Sequence, residues 1–201
     1  VLVERIGEEL VARVPGEPRV ALLRAELLRE NGKPAEACKL LAAMEDPARL
    51  SPQLRWSVAG EYDALGDAAK AAEVMAWGTQ DESSFAQRAA LLDKAKDKAG
   101  LAKLYEELKQ GATDPNPMRR LLLGQVAELL ERHEEALGWY ANIPGEDAQG
   151  IARLRSANVL HAAGRGKQAF EALAALQSDQ LLDEDARRDG YLLEAELRAK
   201  D

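Results

Sequence analysis

Apolar residues recur along the chain at helical spacing, three or four positions apart, in runs broken by short polar turns. In Glu30-Asn31-Gly32-Lys33-Pro34-Ala35-Glu36-Ala37 one helical pattern enters a glycine turn, and the next restarts with an alanine five residues past the glycine. The same device returns at Gly66 with Ala71 and at Gly164 with Ala169. Seven residues before each glycine stands a small residue: Ala25, Ala59 and Ala157. Four before stands a large one, Leu28, Tyr62 or Leu160, and nine after stands Leu41, Met75 or Leu173. Two further copies keep the pattern without the glycine: Ala89, Leu92, Lys96, Leu101, Tyr105, and Gly124, Ala127, Glu131, Ala136, Tyr140. The turn positions 32, 66, 96, 131 and 164 are thus spaced by 34, 30, 35 and 33 residues.

A close crossing of two antiparallel helices requires this alternation. Small residues let the backbones approach, large ones fill the neighbouring grooves, and glycine accepts the left-handed conformation that ends the first helix. Prolines 15, 18, 47, 52, 115, 117 and 144 fall where one hairpin should stop and the next begin. The pattern predicts helix hairpins over 17–46, 51–79, 82–111, 115–143 and 148–178. Residues 1–14 read as the second helix of an incomplete repeat and 182–201 as the first helix of another, so the chain is expected to be part of a longer array. The fold class is all-α, with about twelve helices in a single solenoid spanning 1–201.

These residues resemble the tetratricopeptide repeat (TPR), which shares the repeat length, the small and large alternation and the proline near the boundary. The resemblance covers essentially the whole chain and implies a right-handed superhelix whose first helices line a concave groove. It departs from the family where an aromatic often opens the first helix: Ala21, Arg55, Arg120 and Arg153 stand there, and only Phe85 keeps the aromatic.

Carried onto this chain, the resemblance places Leu22, Trp56, Ala86, Leu121 and Leu154 on an apolar floor, with Leu192 following. Glu26, Gly60, Ala90, Gln125 and Asn158 come next, with Glu196 following, and Arg29, Asp63, Asp93, Glu128 and His161 form a mostly acidic rim. The expected partner-binding residues are Leu22, Glu26, Arg29, Trp56, Asp63, Leu121, Gln125, Glu128, Leu154, Asn158 and His161. The competing reading is that the leucines pack between adjacent helices. The family's Lys/Asn/Arg clamp for a C-terminal carboxylate is not reproduced, since Asn158 and Arg155 occur alone. The expected partner is a protein or peptide segment, apolar with some basic character and anchored by Trp56.

Composition narrows the class. The chain has 37 Ala and 31 Leu among 201 residues against only 14 Val, Ile and Thr, which argues against a large sheet. With 46% hydrophobic and 31% charged residues it can build both a core and a solvated surface. The net charge of −8 disfavours nucleic acid, and no apolar run has the length of a membrane span, so no direct membrane insertion is expected.

The chemistry-bearing residues are few. A single cysteine, Cys38, excludes an internal disulfide and reads as a buried structural thiol beside Ala37. His133 falls in a turn, His161 late in a first helix, and neither has metal-ligand spacing. Gly164-Arg165-Gly166-Lys167 lacks the leading glycine and the trailing Ser/Thr of a phosphate loop. Glu8-Glu9, Glu106-Glu107 and Glu134-Glu135 read as solvent-facing ion-pair partners. Trp139 and Tyr140, with Ile143, read as core packing. No catalytic residue, metal or cofactor is expected.

The expected function is a non-catalytic protein-interaction scaffold. The runs Glu135-Ala136-Leu137-Gly138-Trp139-Tyr140, Ile151-Ala152-Arg153-Leu154-Arg155 and Ala163-Gly164-Arg165 resemble long repeat proteins of Gram-negative bacteria, some of which serve outer-membrane assembly or exopolysaccharide export. That resemblance favours the periplasm over the cytoplasm. The alternative is a regulatory homo-oligomer that stacks through its incomplete terminal repeats.

Overall fold

Five of the helix signals end at the turn positions read from the repeat, and the computed structural model shows how. It describes residues 17–44, 50–110, 116–141 and 143–200. Eleven helices and no strands occur among the described residues. They are α1 (Pro18–Glu30), α2 (Pro34–Ala42), α3 (Pro52–Ala64), α4 (Ala68–Met75), α5 (Glu82–Lys94) and α6 (Lys98–Gln110), then α7 (Pro117–Leu129), α8 (His133–Tyr140), α9 (Glu146–Ala162), α10 (Gly166–Ser178) and α11 (Glu184–Arg198). The helix expected over 1–14 lies outside the described residues, as do Pro15, Pro47, Pro115 and Glu8-Glu9.

Local chemistry explains the starts. Pro18, Pro34, Pro52 and Pro117 occupy first helical positions, where a missing N–H costs nothing. Ser51, Asp67, Asp81, Asn116 and Asp183 cap their helices by accepting a hydrogen bond from the backbone N–H three residues on.

The stops are more uniform still. Gly32, Gly66, Lys96, Glu131 and Gly164 all have positive φ, at 72°, 86°, 58°, 60° and 75°. Each N–H bonds back to the carbonyl three residues earlier, on Arg29, Asp63, Asp93, Glu128 and His161 respectively. The following residue's N–H reaches the carbonyl five residues before it: Lys33 to Leu28, Asp67 to Tyr62, Asp97 to Leu92, Arg132 to Ala127 and Arg165 to Leu160, all at 2.8–2.9 Å. This is a Schellman cap made five times, at all five turn positions read from the repeat.

Lys96 and Glu131 make that cap with a side chain in a conformation that suits glycine. Lys96→Gly and Glu131→Gly are therefore expected to raise stability by up to about 1 kcal/mol each, a gain reduced by glycine's freedom in the unfolded chain. Thermal melts of the single variants check this, and a lowered midpoint in both would contradict it.

The chain divides into two units, 1–97 and 98–201. In the first, α1 packs on α2 and α3, α3 on α4, and α4 on α5. Its core contains Ala25, Ala37, Leu41, Val58, Ala59, Tyr62, Ala71 and Met75, the small and large repeat positions among them. In the second, α6 packs on α7, α7 on α8 and α9, α8 on α9, α9 on α10 and α11, and α10 on α11. There Leu101, Leu104, Tyr105, Leu123, Ala127, Ala136, Tyr140, Ala157, Leu173 and Leu176 are buried. No helix among the described residues is long and apolar enough to cross a membrane.

Three expectations are corrected in detail. His133 is the first residue of α8 rather than part of the turn before it. Cys38 is half-buried, because only its neighbour Ala37 points into the α1–α2 crossing. Trp139 is half-buried too, held at the protein surface by a hydrogen bond rather than enclosed.

Candidate partner-binding surface

In the first unit, the residues expected to meet a partner separate into packed, paired and exposed. Leu22 is 8% exposed and belongs to the core, so it is not an accessible floor. Glu26 is half-buried on α1. The Arg29 guanidinium on α1 donates through Nε to the buried Glu61 carboxylate of α3 at 2.7 Å, and this bond raises the Arg29 pKa further. Asp63 on α3 accepts from Lys94 Nζ of α5 at 2.6 Å. Trp56 remains 40% exposed on α3.

In the second unit the outcome is similar. Leu121 is 3% exposed, while Leu154 is half-buried against the Ala157, Leu173 and Leu197 core. The apolar-floor reading of Leu22 and Leu121 thus gives way to burial between helices, while Leu154 is packed on one side against that core. Gln125 is half-buried on α7. His161 stands edge-on to Phe170, with ring centroids 6.1 Å apart.

Glu128 and Asn158, expected on the same surface, do come together. The Glu128 carboxylate, on α7, accepts from Tyr140 Oη at 2.5 Å, Arg155 Nη1 at 3.0 Å and Asn158 Nδ2 at 3.4 Å. Burial first, then the Glu128 carboxylate, pushes the Tyr140 phenol far above its ordinary value. Asp63 and Glu128 are therefore already neutralised by Lys94 and Arg155, so an acidic rim awaiting a basic partner is not what these residues form.

A second cluster joins α6 to α8. Trp139 Nε1 donates to Tyr105 Oη at 2.8 Å, and Tyr105 Oη donates to Glu135 Oε2 at 2.7 Å. Lys109 and Arg132 each lie about 5 Å from the Tyr105 ring centroid. Burial pushes the Tyr105 phenol up to about 12. A shallow depression of about 330 Å³ opens beside these residues and Gly138. Glu134 pairs with Arg165 and Glu106 with Lys109, the ion-pair roles read for those acidic doublets. Among the described residues no group of three or more His, Cys, Asp or Glu is arranged to hold a metal ion.

The large apolar side chains that remain open to solvent are unevenly distributed. Among the described residues in helices, the exposed large hydrophobics are Leu23, Trp56, Met118, Ile151, Tyr191 and Leu192. They lie on α1, α3, α7 and α9, each the first helix of its hairpin, and on α11, and none lies on α2, α4, α5, α6, α8 or α10. Met118 and Ile151 each stand thirteen residues before the left-handed residue of their turn, so the repeat register itself sets their exposure.

Compared with known protein families the chain matches no family model, and it matches no curated protein.

Proposed function

We propose that the chain is a TPR-like, non-catalytic scaffold that binds a segment of a partner protein along the outward faces of the helices opening its hairpins. The observation that carries this reading is the confinement of the exposed large hydrophobics within helices to those helices among the described residues. Exposed apolar side chains cost solvation unless something covers them, and each unit carries them on the first helices of its hairpins. The charged groups beside them are spent on pairs between helices, so they hold the surface in shape. Participation in outer-membrane assembly or exopolysaccharide export in the periplasm belongs to the same proposal and rests on the sequence resemblance.

Trp56 is the residue to test, being large, rigid and 40% exposed. Affinity capture from native extract with the wild-type and Trp56→Ala chains should retain a common set of proteins, depleted about tenfold on the variant, while helicity by circular dichroism is unchanged. Equal retention by the two chains would overturn the reading.

Self-association is the second reading, favoured by exposure of Leu181, Tyr191 and Leu192 at 81%, 59% and 57%. It requires a light-scattering mass that climbs above 21.9 kDa with concentration.

A further inference from the structure

Helix α11 repeats the register of α9. Ala152 and Val159 of α9 are buried, and so are Gly190 and Leu197 of α11, each 38 positions further on. On that side α11 is docked: it packs on α9 and α10, and a Cβ on Gly190 would lie 2.7 Å from Leu176 Cδ2.

The opposite side of α11 departs from every earlier copy. The small residue seven before each turn position is buried in all five: Ala25, Ala59, Ala89, Gly124 and Ala157. The counterpart of Ala157 on α11 is Ala195, and it is exposed. Arg153 of α9 reaches across its hairpin to Asp179 at the end of α10, with Nη1 2.6 Å from Oδ2. Its counterpart on α11 is Tyr191, which is 59% exposed with Leu192 beside it at 57%.

The earlier copies show what covers such a face. Each of α1, α3, α7 and α9 packs on the second helix of its hairpin, α2, α4, α8 or α10. That helix brings an alanine and, four residues on, a large apolar side chain: Ala37 and Leu41, Ala71 and Met75, Ala136 and Tyr140, Ala169 and Leu173, none more than 3% exposed. Gly124 lies under Tyr140, and Ala157 shares a buried cluster with Leu173.

We infer that the Tyr191–Ala195 face of α11 receives an antiparallel α-helix of a partner protein, bearing an alanine or glycine followed four positions later by a large apolar residue. The inference rests on the scaffold reading above and specifies the occupant of one of its helices. Alanine at 195 lets two helix axes approach, as the small residue does at the five crossings within the chain, and Tyr191 then fills the adjoining groove. The charges bordering the face are already paired. Arg188 meets Asp185 at 2.8 Å, and Arg198 meets Glu194 at 2.7 Å while lying 4.4 Å from the Phe170 ring centroid. Apolar contact is therefore what recognises the partner. An extended segment would lay unpaired N–H and C=O groups on Leu192 and Ala195, whereas a helix arrives with those groups satisfied.

The test displays the α10 sequence, Gly166–Ser178, multivalently with positions 169 and 173 randomised, and selects against the whole chain. The expected winners carry Ala or Gly at the first position and Leu, Met, Phe or Tyr at the second. As free peptides they should bind Ala195→Glu and Tyr191→Ala chains about tenfold or more weakly than the wild type. Both variants should melt within about 2 °C of the wild type, since neither side chain is buried. Lost affinity at unchanged stability separates a docking role from a folding role. Winners without that pair, winners that bind Ala195→Glu equally well, or no enrichment at all overturn the inference and leave the scaffold reading to the Trp56 comparison. A mass above 21.9 kDa for the chain alone, reverting to that value in Ala195→Glu, overturns it in favour of a second copy as occupant.

Discussion

Gly124→Ala is expected to destabilise the protein by about 1–3 kcal/mol, because the added methyl has nowhere to go. A Cβ on Gly124 would lie 2.6 Å from Cδ1 and Cζ of Tyr140 and closer still to Cε1. A flexible surface side chain would swing away, but this ring cannot. Tyr140 is 3% exposed, and its hydroxyl is held by Glu128, which also engages Arg155 and Asn158 of α9. Moving the ring therefore disturbs the α7–α8 contact and the α7–α9 network together. Urea denaturation followed by far-ultraviolet circular dichroism measures the loss. Introduced into a Tyr140→Leu background, the same change should cost much less, since the ring edge is gone. Equal cost in both backgrounds would show that the close approach does not constrain the fold.

Leu173→Ala is expected to cost about 2–5 kcal/mol, within the range for deleting a leucine from a packed core. Leu173 is fully buried on α10 among Ala157 of α9 and Leu197 of α11, with Leu154, Phe170 and Leu193 against the same cluster. Three helices meet there, so the cavity left behind cannot close by moving one of them. Leu192→Ala on α11 is the control: that side chain is 57% exposed and its loss should fall within about 0.5 kcal/mol. A Leu173→Ala variant as stable as Leu192→Ala would remove this cluster from the account of the second unit.

Much of this was visible in the spacing. Gly32, Gly66 and Gly164 announce left-handed turns by residue type, but Lys96 and Glu131 do not. They were legible only because alanines and large residues stood at the right distances on either side, and the Schellman hydrogen bonds form at both. Backbone geometry at a turn follows from where the flanking helices must end to bury their apolar positions, and that requirement outweighs the preference of one residue. The fully buried alanines Ala25, Ala37, Ala71, Ala127, Ala136, Ala157 and Ala169 were legible for the same reason.

The candidate surface was less legible. Register placed Leu22, Trp56 and Leu121 in equivalent positions, yet Trp56 is exposed while Leu22 and Leu121 are buried. Small rotations of each helix and the bulk of its neighbours decide which way such a residue looks, and a linear pattern does not encode them. The charges show the same limit. Asp63 and Glu128 read as an acidic rim until Lys94 and Arg155, about thirty residues away in the chain, are seen to neutralise them.

The divide between the two kinds of information follows from range. Helix identity, turn position and the small and large crossing residues depend on neighbours within about ten positions, so periodicity alone resolves them. Exposure and charge balance depend on residues some thirty positions away, because helices of neighbouring hairpins lie side by side. The predominance of alanine and leucine is accordingly a local statement about helices. That Gly124 lies under Tyr140 follows from its register, whereas that Trp56 opens onto solvent while Leu22 and Leu121 at the same register do not is a statement only packing can make, since what stands above each of them comes from a neighbouring helix.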